Sequence, residues 1–256
     1  MTADLFALLT RIRISRSPTD LAKAARQQHY FVLVGLVVGL VAVLTGMVLF
    51  EIMGKGEAMV LAGVLLVVLY YITGILHTEG LADFADGVMA GGTPERKREA
   101  MKDVHLGVAG VFTVVMFLII MFAMVTRLLD LGDKWIGPAP LPWEIPVLFG
   151  FVLAEVSGKL AMNVSMYLGP SSHPGMGSLF VESASAGKMV AAVLIAFAIG
   201  VLLAGWLVVV LAFGLIAGVA VTMVARRNFG GVSGDAFGAA NEVGRIVTLL
   251  AWVLLI

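Results

Sequence analysis

Long apolar stretches alternate with short polar ones along the chain, and that alternation predicts its elements. A membrane span needs about 20 mostly apolar residues. Phe31–Phe50, Ala58–Leu76 and Leu106–Thr126 meet this without a single charge. Ile145–Leu168 is long enough but carries Glu155, Lys159 and Asn163. Met189–Ala225 has 37 residues. As one helix it would run roughly 55 Å, too far for a single crossing of a ~30 Å core, so it predicts two spans with a tight turn near Gly205. A last span, Ala236–Ile256, has polar first turns. The expectation is an all-α, polytopic bundle of about seven transmembrane helices in one domain, 1–256. Residues 1–30 form a cytoplasmic interfacial segment and 31–256 the bundle. "LFALLTRIRI" places Leu5, Leu8, Leu9 and Ile12 at helical spacing beside Arg11 and Arg13, the pattern of a helix lying on the bilayer. "SRSPTD" then reads as a turn and a helix start.

Composition sharpens this picture. The chain is 60% hydrophobic and 13% charged, with mean hydropathy +1.03, whereas soluble domains carry about a quarter charged residues. The bilayer is therefore its surroundings. Zero net charge argues against nucleic acid, whose binders need a basic surface. The lack of cysteine excludes thiol catalysis, disulfides and cysteine-ligated zinc. The N-terminus does not read as a cleavable signal, because basic residues precede the first long apolar run. Lys and Arg set the orientation. Arg11, Arg13, Arg16, Lys23 and Arg26 share one side with Arg96, Lys97, Arg98, Lys102, Lys188, Arg226 and Arg227. Only Lys55, Arg127 and Lys134 fall on the other. The first side is then cytoplasmic, and it receives every polar loop. No internal repeat of the kind common in transporters is visible.

Candidate chemistry gathers in those loops. "HTEGLADFADG" holds Glu79, Asp83 and Asp86 at i, i+4 and i+7, one face of a helix. Like charges so close repel unless a cation sits among them, and oxygen donors favour Mg²⁺ or Mn²⁺. Small residues beside them, Gly80, Ala82, Ala85 and Gly87, permit close approach. "GGTPERKREAMKDVHLG" follows, with Pro94 suited to a helix start. Its Arg96, Lys97 and Arg98 read as headgroup-side topology residues, while Lys102, Asp103 and His105 lie nearer the next span and read as site candidates. Glu155 and Lys159 stand one turn apart within a span, where charges are expensive and are paired or functional. "GPSSHPGMGSLF" reads as a connector, and its His173 has no evident role. "RRNFGGVSGDAFGAANEVGR" leads from Gly230, Gly231 and Gly234 into a helix with Asp235 and Glu242 on one face. A glycine-rich loop entering a helix offers N–H groups to an anion, and Arg226 and Arg227 stand beside it.

"HTEGLADFADG", "KREAMKDVHLGVAGV", "GMGSLF" and "GGVSGDAFGA", in this order, closely resemble the cobalamin synthase family, the membrane adenosylcobinamide-GDP ribazoletransferases. "LLTRIRI" and "FVLVGLVVG" resemble that family's opening, so the likeness covers nearly the whole chain. The resemblance implies a Mg²⁺-dependent reaction of adenosylcobinamide-GDP with α-ribazole or its 5′-phosphate. The products are adenosylcobalamin or its 5′-phosphate, and GMP. The family's acidic positions fall on Asp83, Asp86 and Asp235; Glu79 stands where aspartate is usual, and His105 where arginine is common. The expected metal set is Glu79, Asp83, Asp86 and Asp235. Arg11, Lys102, His105, Arg226, Arg227, Gly231 and Gly234 are the expected substrate contacts. His77, Asp103 and Glu242 are candidate proton acceptors. The active site is expected at the cytoplasmic face of the cell membrane, with the two acidic clusters forming one site. Oligomeric state is left open, a homo-oligomer included.

Two other functions fit the pattern less well. A phosphatidyltransferase acting on a nucleotide-activated alcohol also places aspartates and Mg²⁺ at the cytoplasmic face, but its Ala-Arg pair between the acids is absent. A transporter using Glu155 and Lys159 would need polar residues along several spans, and the first three are apolar.

Overall fold

The computed structural model describes residues 3–12, 18–53, 56–103, 105–131, 135–136, 145–146 and 148–256. Arg13, Arg16, Lys55 and Lys134 of the charge bias lie outside these residues, as does the first half of "SRSPTD". The helices in chain order are α1 (Ala3–Leu9), α2 (Leu21–Arg26), α3 (Phe31–Met53), α4 (Ala58–Thr73), α5 (Leu76–Met89) and α6 (Pro94–Ala100). They continue with α7 (Val108–Asp130), α8 (Phe149–Leu168), α9 (Met176–Ser183), α10 (Ala186–Ala204), α11 (Leu211–Phe229) and α12 (Gly234–Leu255). The described extended structure is a two-residue pairing of Trp135–Ile136 with Ile145–Pro146, so α8 starts a few residues later than the apolar run.

The protein is a polytopic helical membrane protein. Helices α3, α4, α7, α8, α10, α11 and α12 occupy the seven predicted span positions. By length and apolarity alone, four stretches among the described residues pass as spans, or five with the bent α4–α5 pair. One of the four, Ala186–Phe229, is a hairpin. Gly205 breaks it at a positive φ of 58°, which glycine adopts without strain. Val193 and Phe197 of α10 then line one cavity with Leu211 and Leu215 of α11, which only an antiparallel return allows.

Helix α8 is the hub. It is buried continuously from Gly150 to Met166, and α3, α10, α11 and α12 pack around it. This burial on all sides is why the hydropathy of α8 is modest: neighbours, not lipid, surround its polar groups. Helix α7 is the opposite case, with Val111, Phe112, Val115 and Ile119 exposed as a lipid-facing stripe. The apolar stripe of α1, predicted to rest on lipid, is turned to protein. Leu5, Phe6 and Leu9 are buried, and α1 packs on α2 and α3.

Helix α4 does not continue smoothly into α5. Gly74 caps it in the left-handed region, Ile75 follows at φ 56°, and α5 leaves at 89°. Helix α5 therefore runs across the direction of α4 rather than on through the bilayer. The polar loops converge on this end. Arg11 N–H donates to Ile72 O (2.7 Å). Lys97 Nζ donates to Asn228 Oδ1 (2.7 Å), and Arg98 Nη1 to Phe229 O (2.7 Å). Lys97 and Arg98 thus tie α6 to the end of α11, a structural role beyond the topology signal read from sequence.

Candidate active site

The site is built where α5 crosses the first turns of α12. A Cβ on Gly80 would lie 3.0 Å from Asp235 Cα, and one on Gly238 would lie 2.9 Å from His77 O. Only glycine at both positions lets the two backbones touch. This contact brings Asp235 beside the α5 acids across some 150 residues of chain. Among the described residues, neither Glu79 nor Asp83 has a cation or hydrogen-bond donor on its carboxylate. Partial burial, and then the like charges of Asp235, Glu79 and Asp86, push the Asp83 carboxyl up to about 6.

Glu79 and Asp83 line a cavity of about 920 Å³ between α4, α5 and α7, together with Tyr70, Thr78, Lys102 and Asp103. Asp235 lies on the other side of the crossing. It lines a separate apolar cavity of about 100 Å³ with His77, Met162, Phe180 and Phe237. The acids are therefore neighbours distributed around one helix contact rather than a ring within one cavity. Among the described residues, no group of three or more His, Asp and Glu side chains is placed to hold a metal ion by protein donors alone. The donor set still fits Mg²⁺, which takes one or two carboxylates and completes its shell with water and substrate phosphate.

Asp86 has a second occupation. Its Oδ2 accepts from Gly107 N–H and its Oδ1 from Gly110 N–H, both at 2.8 Å. Those N–H groups open α7, so Asp86 caps that helix and pins it to α5. Sequence reading placed Asp86 with the metal ligands; the structure adds this capping role, which leaves fewer of its lone pairs free.

The glycine-rich loop is also partly committed. Val232 N–H donates to Pro170 O (2.7 Å) and Val232 O accepts from Ser172 N–H (2.9 Å). Gly231 lies flush on this strand-like contact, and Gly234 N would sit 2.9 Å from a Cβ on Gly177. Rather than an open anion cradle, the loop is a docking strip for residues 169–177. The result carries His173 to the site. Burial, then the charge of Lys102, lowers its imidazole pKa, while Asp235 opposes the shift. Its Nδ1 bonds Ser172 Oγ (2.9 Å). Nothing in its sequence neighbourhood distinguishes it from a connector histidine.

The remaining candidates separate by depth. Asp103 and His105 form an exposed pair (2.9 Å), and hydrogen bonds from the His105 backbone and ring lower the Asp103 pKa, which makes it a weaker proton acceptor. Arg226 and Arg227 are exposed on the last turn of α11. Arg11 stacks on the Tyr71 ring at 4.6 Å and lines a groove of about 500 Å³ that shares Tyr70, Ile75 and Leu118 with the large cavity.

His77 and Glu242 lie inside the bundle. His77 Nε2 is 3.5 Å from Lys159 Nζ, which donates to Asn241 Oδ1 (2.7 Å). Glu242 pairs with Arg245, whose Nη1 also reaches Glu155 Oε1 (3.2 Å) and whose Nη2 donates to Tyr70 OH (2.8 Å). Glu155 pairs with Arg245 rather than with Lys159 one turn away, because α12 inserts a guanidinium with a better geometric match to carboxylates. Arg245 and Tyr70 were not legible as site-linked. The available signal for Arg245 was its i, i+3 spacing from Glu242 within a span.

The profile of the cobalamin-5-phosphate synthase family matches residues 2–253. The chain is similar to an adenosylcobinamide-GDP ribazoletransferase of Methanocella arvoryzae, 32% identical over 95% of this chain and 91% of that protein. It is also similar to one of Methanococcoides burtonii, 30% identical over 96% and 88%, and one of Thermococcus kodakarensis, 32% identical over 98% and 97%. No solved structure matches it. With the family pattern running over nearly its whole length, the chain belongs to the cobalamin-5-phosphate synthase family.

Proposed function

We propose that this transferase moves the adenosylcobinamide-phosphate moiety of adenosylcobinamide-GDP onto α-ribazole or its 5′-phosphate. It releases GMP and acts at the cytoplasmic face of the cell membrane. The observation that carries the reading is the convergence of Glu79 and Asp83, without cation partners, on a large cavity that Lys102 also lines, in a chain of this family. The relatives' names supply the substrate pair.

In this reading a ribazole hydroxyl attacks the cobinamide-linked phosphorus in line and GMP departs. Such transfers need charge neutralisation and positioning more than covalent chemistry. Glu79 and Asp83, with Asp235 across the helix contact, would hold Mg²⁺, whose chemistry is to neutralise the pyrophosphate and the departing phosphate. Lys102 adds positive charge from the opposite wall. Asp86 fixes α7, and with it the far side of the cavity. His173, in the loop docked against the start of α12, is a candidate acceptor of the hydroxyl proton, and burial and the charge of Lys102 favour its neutral form.

The test is turnover by the purified protein in lipid. Adenosylcobinamide-GDP and α-ribazole 5′-phosphate are supplied with Mg²⁺ or with chelator, and GMP and adenosylcobalamin 5′-phosphate are measured. Both products are expected in equal amounts, with Mg²⁺ only. No product under either condition refutes the reading. Sidedness is tested by single cysteines in this cysteine-free chain. A cysteine at Thr93 is expected to resist impermeant label in intact cells.

A further inference from the structure

Glu155, Glu242 and Arg245 are each at most 2% exposed, deep in a membrane bundle where ionised groups are expensive. Among the described residues two routes lead out of the cluster: Asn241 Nδ2 donates to Glu242 Oε1 (3.2 Å) and connects it to Lys159 and His77, and Arg245 connects it to Tyr70. Arg245 Nη2 donates to the hydroxyl of Tyr70 (2.8 Å), and the guanidinium sits 5.1 Å from the centre of the Tyr70 ring. Tyr70 stands in the last turn of α4, on the wall shared by the large cavity and the adjoining groove.

A guanidinium has donors only, so the Tyr70 oxygen must act as acceptor toward Arg245 and keeps its own hydrogen free. Among the described residues no group accepts that hydrogen. The phenol is therefore fixed at both ring and oxygen, polarised by a permanent positive charge, and left with one unused donor beside Glu79, Asp83 and Lys102. A donor so prepared suits an anionic oxygen.

We propose that Tyr70 is a substrate-binding residue whose O–H, positioned by Arg245, donates a hydrogen bond to a pyrophosphate oxygen of the nucleotide-activated substrate. The inference rests on the functional reading above. The Glu155–Arg245–Glu242 cluster is then a positioning device: two carboxylates aim the guanidinium, and the guanidinium aims the phenol. No proton is transferred, and Tyr70 stays neutral throughout.

The test compares wild type with Tyr70→Phe, and with 3-fluorotyrosine incorporated at position 70, in the full-length protein in lipid. KM and kcat are measured for adenosylcobinamide-GDP and for α-ribazole 5′-phosphate. A hydrogen bond to a charged group corresponds to roughly a tenfold or larger change in affinity. Tyr70→Phe is expected to raise KM for adenosylcobinamide-GDP by about tenfold and leave KM for the ribazole phosphate unchanged. The fluorinated phenol, a stronger donor of nearly the same shape, is expected to lower KM for adenosylcobinamide-GDP. An active wild type whose two variants keep both KM values, or shift both in parallel with a fall in kcat, overturns the inference alone. A wild type that forms no GMP overturns the functional reading, and the inference with it.

Discussion

Two groups of carboxylates lie along α12 in opposite states. At its first turn Asp235 faces α5, where Glu79 and Asp83 have no cation partner among the described residues and Asp83 is pushed up to about 6. About two turns further in, Glu242 closes on Arg245, which also holds Glu155. Both groups crowd negative charge in a chain with few charges to spend. The deep group is met by the guanidinium of Arg245, with the Lys159 ammonium close by, and is buried completely. The shallow group borders a cavity of about 920 Å³ and is left for something else to neutralise. An unpartnered group costs folding energy that a paired one at least partly recovers, which points to ligand binding at the second.

The contrast predicts opposite responses to removing one charge. Arg245→Gln leaves Glu155 and Glu242 without the guanidinium that pairs with both. It is expected to cost about 3–5 kcal/mol of stability, the size seen when one partner of a buried pair is lost. Its thermal midpoint in detergent should fall steeply, and a midpoint equal to wild type would mean the cluster is not what it looks like. Asp83→Asn, by contrast, removes repulsion. Its midpoint without divalent cations should equal or slightly exceed wild type near pH 8, while kcat falls by ~10²–10³-fold.

The helix contact is the next most sensitive point. Gly238→Ala places a methyl 2.9 Å from His77 O and 3.2 Å from Gly80 Cα. Overpacking of this kind costs about 1–3 kcal/mol. Here it also spreads Asp235 away from Asp83, so turnover should fall more than stability accounts for. Equal turnover at saturating Mg²⁺ would show that the spacing of the two helices does not matter to the site.

The smallest effect is on pH. Asp83 is raised from 3.8 to about 6, so in the ligand-free protein its contribution to stability is present below about pH 4 and is lost as pH rises through 6. Mg²⁺ binding runs the other way, because the ligand must be deprotonated. The rise in thermal midpoint on adding Mg²⁺ should be present near pH 8 and absent near pH 5 in wild type. Near pH 8 it should be much reduced in Asp83→Asn.

Much of the fold was legible in the sequence, because lipid punishes polar backbone and side chains in long stretches. Phe31–Phe50, Leu106–Thr126 and Ala236–Ile256 correspond to α3, α7 and α12 within a few residues, and the turn at Gly205 falls where length demanded it. Hydropathy does not register direction. The apolar run to Leu76 conceals the bend at Gly74 and Ile75, which turns the acids across the bundle end. The approach of the two acidic segments was suggested by their small residues, and Gly80 and Gly238 are the positions that use this property. Choice of partner was not legible. Asp86 reaches α7, Lys97 reaches Asn228, and Glu155 selects Arg245 over Lys159 one turn away, all through tertiary geometry that no local spacing encodes.

The central claim is that the acids of α5 and α12 act as one site. It is tested most directly by turnover of Asp83→Asn, Asp235→Asn and the double variant, each in lipid with Mg²⁺ and both substrates. Each single change is expected to lower kcat by ~10²–10³-fold, the cost of losing one electrostatic stabiliser of a transition state. Residues that act as a unit lose function non-additively, so the double variant should be little worse than either single one. Single losses that multiply in the double variant would contradict the account and make the two acids independent.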